Sequence, residues 1–330
     1  MATSTLDAPA STNRRAEGGA RSVFGLALAG VGALLFVVAL MAQFYAAPKL
    51  SIVPLDQDSV TRLEAPGATV FDTATLKPIT TDLSITAHTV GDVKASKAAG
   101  GDVRVWTNNT TIKSSDGVIR SQSTKRQSFD GVTGAAVACS SCGNFNEATK
   151  DEKVAVKRTG LIYKFPFDTA KKTYQFWDDT AGKAVATRYT GSTTVQGLDV
   201  YTFENDVPAM VVGTQDVPKS VFGLVGNENV AADSYYQNHT KYYIEPVTGA
   251  IVNQVSDTKN WFEYDGNQLI TTQAHISYTP KQVTDMINVT LGNQPSMLST
   301  VKGWVPWAVV VLALMMIAVG GALVRTRSQD

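Results

Sequence analysis

Two uncharged apolar runs, one near each end of the chain, constrain its fold more than any other feature. Val23 to Tyr45 reads VFGLALAGVGALLFVVALMAQFY, and Trp304 to Val324 reads WVPWAVVVLALMMIAVGGALV. At a rise of about 1.5 Å per residue, either run is long enough as a helix to cross a hydrocarbon core of about 30 Å. A helix also satisfies its own backbone polar groups, which lipid cannot do for it. Nothing between the two runs approaches their length, so the intervening chain is expected to be aqueous.

A cleaved leader is the competing account of the first run. Its apolar part exceeds the usual leader core of about 7–15 residues, and FYAAPKL offers no clear cleavage site before Pro48. The run is therefore expected to stay as a signal anchor. Gly25, Ala29 and Ala33, spaced by four, form its expected helix-packing face.

Arg14, Arg15 and Arg21 precede the first run, and Arg325 and Arg327 follow the second. The positive-inside rule then places both termini in the cytoplasm of a two-pass plasma (inner) membrane protein, with the main domain in a periplasm-like space. Phe44, Tyr45, Trp304 and Trp307 fall where an outer aromatic belt belongs. The expected division is a disordered tail over 1–22, a transmembrane helix over 23–45, a β-rich domain over 46–303, a second transmembrane helix over 304–324 and a short tail over 325–330.

The domain between the helices reads as mainly β, within an α+β class. Alternating stretches such as Leu83–Ala87 and Val103–Trp106 are separated by Ser115-Asp116-Gly117 and Asp130-Gly131 turns. LIYKFPFD, KKTYQFWDD, KYYIE, AIVNQV and LITTQAHISY continue the strand pattern, giving an antiparallel sheet or barrel-like domain with a few short helices. Pro218–Val225 is expected to be a short helical piece. Thr279-Pro280 opens an amphipathic helix with Val283, Ile287 and Leu291 on one face, expected to pack on the domain rather than on the lipid surface.

The chain's 29 Lys and Arg balance its 29 Asp and Glu, which leaves no broad basic face for nucleic acid. Cys139 and Cys142, the two cysteines, form a C-x-x-C pair. Zinc needs four ligands and no second pair exists, and a redox dithiol belongs at a helix start rather than in a glycine-flanked loop. Outside the cytoplasm the expected outcome is a structural disulfide. No nucleophile elbow, phosphate-binding glycine loop or H-E-x-x-H occurs, and His88, His239 and His275 are scattered. No catalytic residue, metal site or cofactor is expected, and Asp178-Asp179 reads as a turn. The aromatic clusters at 163–177, 235–243 and 261–264 are expected to be core, with cavity lining as the alternative.

GLIYKFPFDTAKKTYQFWD (Gly160 to Asp178), GLDVYTF (Gly197 to Phe203) and YYIEPVTGAIV (Tyr242 to Val252), set between two apolar helices, resemble the actinobacterial PorA family. The family also contains a mycobacterial envelope protein of lipomannan and lipoarabinomannan synthesis. The resemblance implies a non-enzymatic membrane protein whose outer domain binds membrane lipid or lipoglycan and assists cell-envelope assembly, alongside envelope-assembly proteins as possible partners. A scaffolding role in a membrane complex and a porin-like channel component are the alternatives. Two helices without a polar face cannot line a pore in a monomer, so the channel requires oligomerisation, through Gly25, Ala29 and Ala33. The sequence leaves the ligand and the oligomeric state open.

Overall fold

The computed structural model of the protein describes residues 13–147, 152–226 and 228–325. They divide into a helical unit built from the two ends of the chain and a β-rich unit over Ile52–Pro295. The helices are α1 (Asn13–Met41), α2 (Ala47–Leu50), α3 (Val93–Ala99), α4 (Pro280–Asp285), α5 (Gln294–Lys302) and α6 (Val305–Arg325).

In the helical unit, α1 starts at Asn13, so residues 13–22, expected to be disordered, are helical. Arg14, Arg15, Ala16 and Glu17 are good helix formers, and extending an existing helix is far easier than nucleating one. Residues 1–12 and 326–330 of the two expected tails lie outside the described residues. α1 and α6 pack against each other through small residues. A Cβ on Gly25 would stand 2.8 Å from the carbonyl oxygen of Gly320, and one on Gly32 2.8 Å from that of Ala313.

Buried positions recur every seventh residue on both helices: Gly25, Gly32 and Ala39 on α1, Pro306, Ala313 and Gly320 on α6. This corrects the expected stripe. Gly25 and Ala29 meet Gly320, but Ala33 is exposed and Gly32 takes its place. Steps of four drift around a helix of 3.6 residues per turn, whereas a seven-residue repeat stays on the facing side. Away from the seam the apolar side chains point outward, among them Val23, Phe24, Leu26 and Leu34 on α1 and Val311, Leu312 and Met315 on α6. Both helices are long and apolar enough to cross a membrane.

The β-rich unit is one twelve-stranded antiparallel sheet. Its strands are β1 (Asp58–Asp72), β2 (Lys77–Gly91), β3 (Val103–Ser114), β4 (Ile119–Asp130), β5 (Phe145–Glu147), β6 (Lys153–Ala155), β7 (Tyr174–Asp178), β8 (Lys183–Val195), β9 (Leu198–Pro218), β10 (Asn229–Ile244), β11 (Ile251–Tyr264) and β12 (Asn267–Tyr278). In space the order is β6-β5-β4-β3-β2-β1-β12-β11-β10-β9-β8-β7. Two meanders therefore share one sheet, joined where β1 pairs with β12 through Leu63 and Tyr278.

The sheet curls until its two halves meet. Asp130 N donates to Ala135 O at 2.8 Å, Ile162 N to Gly134 O at 2.7 Å, and Leu161 N to Gln175 O at 2.7 Å. The segments at 134–137 and 160–162 thus link β4 to β7, nine places away along the sheet order, and satisfy backbone groups that an open edge would expose.

LIYKFPFD, expected as a strand, is instead an irregular strap. Tyr163 and Asp168 have φ of 63° and 53°, and Pro166 has no N–H to offer a ladder. The helical piece expected over Pro218–Val225 is a single 3-10 turn at Lys219–Phe222. α4 starts as its sequence suggests, with Thr279 Oγ1 accepting from Gln282 N at 3.1 Å. Past α4 the chain continues as a π-helical turn, Met286–Leu291, and Val283, Ile287 and Leu291 pack with Val200 and Val252 on the sheet.

The helix seam yields a sharp contrast between adjacent glycines. A Cβ on Gly320 would meet Gly25 O at 2.5 Å, while one on Gly321 meets nothing within 4 Å. Gly320→Leu is expected to destabilise the helix pair by about 1–3 kcal/mol, the range for overpacking, and Gly321→Leu to leave it unchanged. Far-UV circular dichroism at the helical minimum during an SDS titration of the full chain measures both.

Candidate functional site

Successive side chains of a strand point to opposite faces, so one face is read at every second residue. On the inner face this selects Ser59, Thr61 and Leu63 of β1, Ala87 and Thr89 of β2, Trp106 and Asn108 of β3, and Lys125 and Gln127 of β4. Together with Phe176, Trp177 and the strap they line an open cavity of about 560 Å³. That lies within the range of about 300–1,000 Å³ usual for small-molecule sites. Register ties the walls together: Trp106 sits opposite Gln127 and Asn108 opposite Lys125, and Asn108 Nδ2 donates to Thr89 Oγ1 at 2.8 Å.

The strap that roofs this face is docked on the turn between β10 and β11. Phe165 N donates to Gly249 O at 2.8 Å, Asp168 N to Val247 O at 3.0 Å, and Thr169 N to Pro246 O at 2.7 Å. Glu245, buried, organises that turn by accepting from Val247 N at 2.9 Å, Thr248 N at 2.7 Å and Thr248 Oγ1 at 2.5 Å. Gly249 is required by close approach, because a Cβ there would clash with the carbonyl oxygens of Phe165 and Pro166. Docking drives Phe165 into a core of Leu161, Phe176, Phe203, Tyr242 and Ile244 and turns Tyr163 and Phe167 toward the cavity. Two of the stretches singled out in the sequence, GLIYKFPFD and EPVTG, are thus the two halves of one joint.

Charge at the cavity wall is held in a buried network. Asp179 accepts from Lys125 Nζ at 3.0 Å, Arg158 Nε at 3.2 Å and Trp177 Nε1 at 2.8 Å, and the Arg158 side chain is 2 % exposed. Burial pushes the Asp179 carboxyl up, but the Lys125 and Arg158 cations, with the Lys125 and Trp177 hydrogen bonds, outweigh it and hold the group below the usual carboxylate range. Burial raises the Tyr163 phenol well above an ordinary tyrosine.

Three buried polar atoms at the cavity have no partner among the described residues: Trp106 Nε1, Gln127 Oε1 and Tyr163 OH. An unpaired buried polar atom costs about 1–3 kcal/mol, and a left-handed backbone at a tyrosine costs a comparable amount. Three of the seven such atoms among the described residues belong to the lining of this one cavity, which makes it the candidate site.

The residues picked out in the sequence lie elsewhere. Cys139 and Cys142 are joined in a disulfide whose loop is held by Arg126 Nε donating to Cys142 O at 2.8 Å, away from the cavity lining. Gly25, Ala29 and Ala33 belong to the helical unit. Asp178 caps its turn, accepting from Thr180 N at 2.9 Å and Ala181 N at 2.8 Å, while Asp179 serves the ion network. The aromatic clusters divide: Phe165 and Tyr242 are core, Tyr163, Phe167 and Trp177 line the cavity, and Phe176 does both. Each histidine pairs with an aspartate on an exposed face, and Asp206, His239, Asp257 and His275 form one row across four strands. Among the described residues, no group of three His, Cys, Asp or Glu side chains is placed to hold a metal ion. Gln127, Lys125 and Asp179 were not foreseen as site residues, and only the alternation along β4 in the sequence points to the first two.

A family model described as Porin PorA matches residues 24–322. A protein described as Porin PorA from Corynebacterium amycolatum is 22% identical over 314 residues, covering 75% of this chain and 80% of that one. A crystal structure of a DUF1329 family protein from Desulfovibrio piger aligns with 74% of this chain and 91% of its own at 10% identity, with a TM-score of 0.25, too low to bear on the fold.

Replacing Asp179 by Asn strands the Arg158 guanidinium without a counter-charge, and the expected loss of stability is about 3–5 kcal/mol. Because the folded-state pKa of Asp179 lies below its unfolded value, its contribution is complete above about pH 4 and disappears as pH falls through the folded-state pKa. The thermal midpoints of wild type and Asp179→Asn should therefore converge in acid, as followed by near-UV circular dichroism.

Proposed function

The chain belongs to the Porin PorA family, and from that premise we propose that it is a two-pass membrane protein whose β-rich domain binds an envelope lipid or lipoglycan in the strap-covered cavity and assists cell-envelope assembly. The observation that carries this reading is the cavity itself: about 560 Å³, walled by Trp106, Tyr163, Phe167, Phe176 and Trp177, with polar atoms left unpaired beside the aromatic surface. An amphiphile answers both features, since its chain covers the rings and its head meets the polar atoms. The outward apolar faces of α1 and α6 support membrane anchoring. Arg14, Arg15, Arg21 and Arg325 support cytoplasmic termini, with the β-rich unit outside. The protein acts by binding, without covalent chemistry.

The family description and the Corynebacterium relative's name favour a second reading, a porin-like channel component. Against it, the Gly25 face that would build an oligomeric pore is filled by α6 of the same chain, and no polar stripe runs along either helix. Planar-bilayer recording of the purified full chain is expected to give no discrete conductance steps. Steps that persist in the Gly320→Leu variant but vanish with the β-rich domain's ligand would reverse the order of the two readings.

Tryptophan fluorescence tests the first reading directly, with the full chain in a neutral detergent and phospholipid carrying dibrominated acyl chains as quencher. Quenching is expected to be reduced in a Trp106→Phe/Trp177→Phe variant, while Trp304 and Trp307 report detergent-phase contact in both proteins. Equal quenching of the two proteins would remove lipid binding from this cavity.

A further inference from the structure

The polar end of the cavity is rich in donors and carries surplus positive charge. Trp106 Nε1 is a donor only, Tyr163 OH donates or accepts, and the Gln127 amide can present either end. All three stand together: Trp106 is opposite Gln127 in the β3–β4 register, and the Trp106 and Tyr163 rings are 5.3 Å apart. The relative exposures of Trp106 and Gln127 are 7% and 3%, so neither turns to solvent. Beside them Lys125 and Arg158 share a single carboxylate, Asp179, whose oxygens already accept three hydrogen bonds. Lys164, the other cation of the lining, lies 3.9 Å from the centre of the Phe167 ring and donates to Val132 O. Two cations on one carboxylate leave the Lys125–Arg158–Asp179 group with a net positive charge.

We infer that the cavity selects an amphiphile with an anionic head, a carboxylate or a phosphate, bound by Trp106, Tyr163, Gln127 and Lys125 while its chain lies against the aromatic wall. The inference rests on the lipid-binding reading above. An anion accepts from both unpaired donors at once and offsets the surplus charge. A cationic head does neither, and a neutral head leaves the charge uncompensated. Hydrogen bonds to a charged partner are worth more than neutral ones, so the head should dominate selectivity between ligands of equal chain.

The experiment uses the full chain in a neutral detergent and three probes: dibrominated stearate, the matching dibrominated stearyl alcohol, and a phosphatidic acid with the same brominated chains. Every protein carries Trp304→Phe and Trp307→Phe, so that quenching reports the β-rich unit, with Trp177 the cavity reporter present throughout. The anionic probes are expected to bind roughly tenfold or more tightly than the alcohol, and a Trp106→Phe/Tyr163→Phe variant, which keeps an aromatic ring at both positions, to lose most of that preference. Whichever of stearate and phosphatidic acid is tighter identifies carboxylate or phosphate as the head, and either result supports the inference. Equal affinity for acid and alcohol overturns the anionic head while leaving lipid binding intact. No quenching by any probe overturns the lipid-binding reading itself. Competition by acetate or inorganic phosphate alone at the same concentrations as the lipids would make this a free-anion site and overturn the amphiphile. Lys125→Gln supplies an independent check. It should weaken the anionic probes by about tenfold and the alcohol by much less, and equal weakening of acid and alcohol would count against a role for its charge.

Discussion

The docking of the strap on the Glu245–Gly249 turn holds the rest of the β-rich unit in place. A twelve-stranded antiparallel meander has two unpaired ends, and nothing in its ladder brings them together. Here three backbone hydrogen bonds to the turn fix residues 165–169, and the preceding residues then pair with both Gly134 and Gln175. One short segment therefore joins the sheet's halves, carries Phe165 into the core and roofs the cavity. The turn can receive it because the buried Glu245 carboxylate pins its backbone and Gly249 brings no Cβ into the path of the strap.

Much of the fold was legible because it follows from periodicity. Alternation marked the long strands of both meanders, and two uncharged runs marked the helical ends. The strap was misread as a strand because its composition, aromatic and β-rich, is that of a strand, and the left-handed backbone at Tyr163 and Asp168 is imposed by tertiary docking that no local pattern announces. The helix seam was misplaced by one residue, Ala33 for Gly32, because small residues occur at both spacings. Only the partner helix decides between them, and the partner was more than 250 residues away in sequence.

The site was less legible than the fold, for a physical reason. Its aromatic residues were visible in the sequence as clusters, but core and lining differ only by which side chains have atoms on their far side. Phe165 and Phe167, two residues apart, go to different environments because Pro166 and the bond to Gly249 break the alternation between them. The ion network was hidden for a similar reason. Lys125, Arg158 and Asp179 come from three separate segments, and they meet only once the sheet has curled.

Those features also explain why this corner resists reading as ordinary core. A domain of this size is stable by about 5–15 kcal/mol in total, while three unpaired buried atoms and one strained tyrosine each cost about 1–3 kcal/mol. Trp106→Phe and Tyr163→Phe replacements would remove two of the unpaired atoms, the first at the cost of a smaller ring, and would leave the Gln127 oxygen and the left-handed backbone at residue 163 in place. A ligand that met these atoms would bind the folded domain and not the unfolded chain, and its binding free energy would add to stability by linkage. On the proposed reading, stability given up at the cavity in the free domain would be returned in the bound one, coupling the roof, the ion network and occupancy of the site in a single equilibrium.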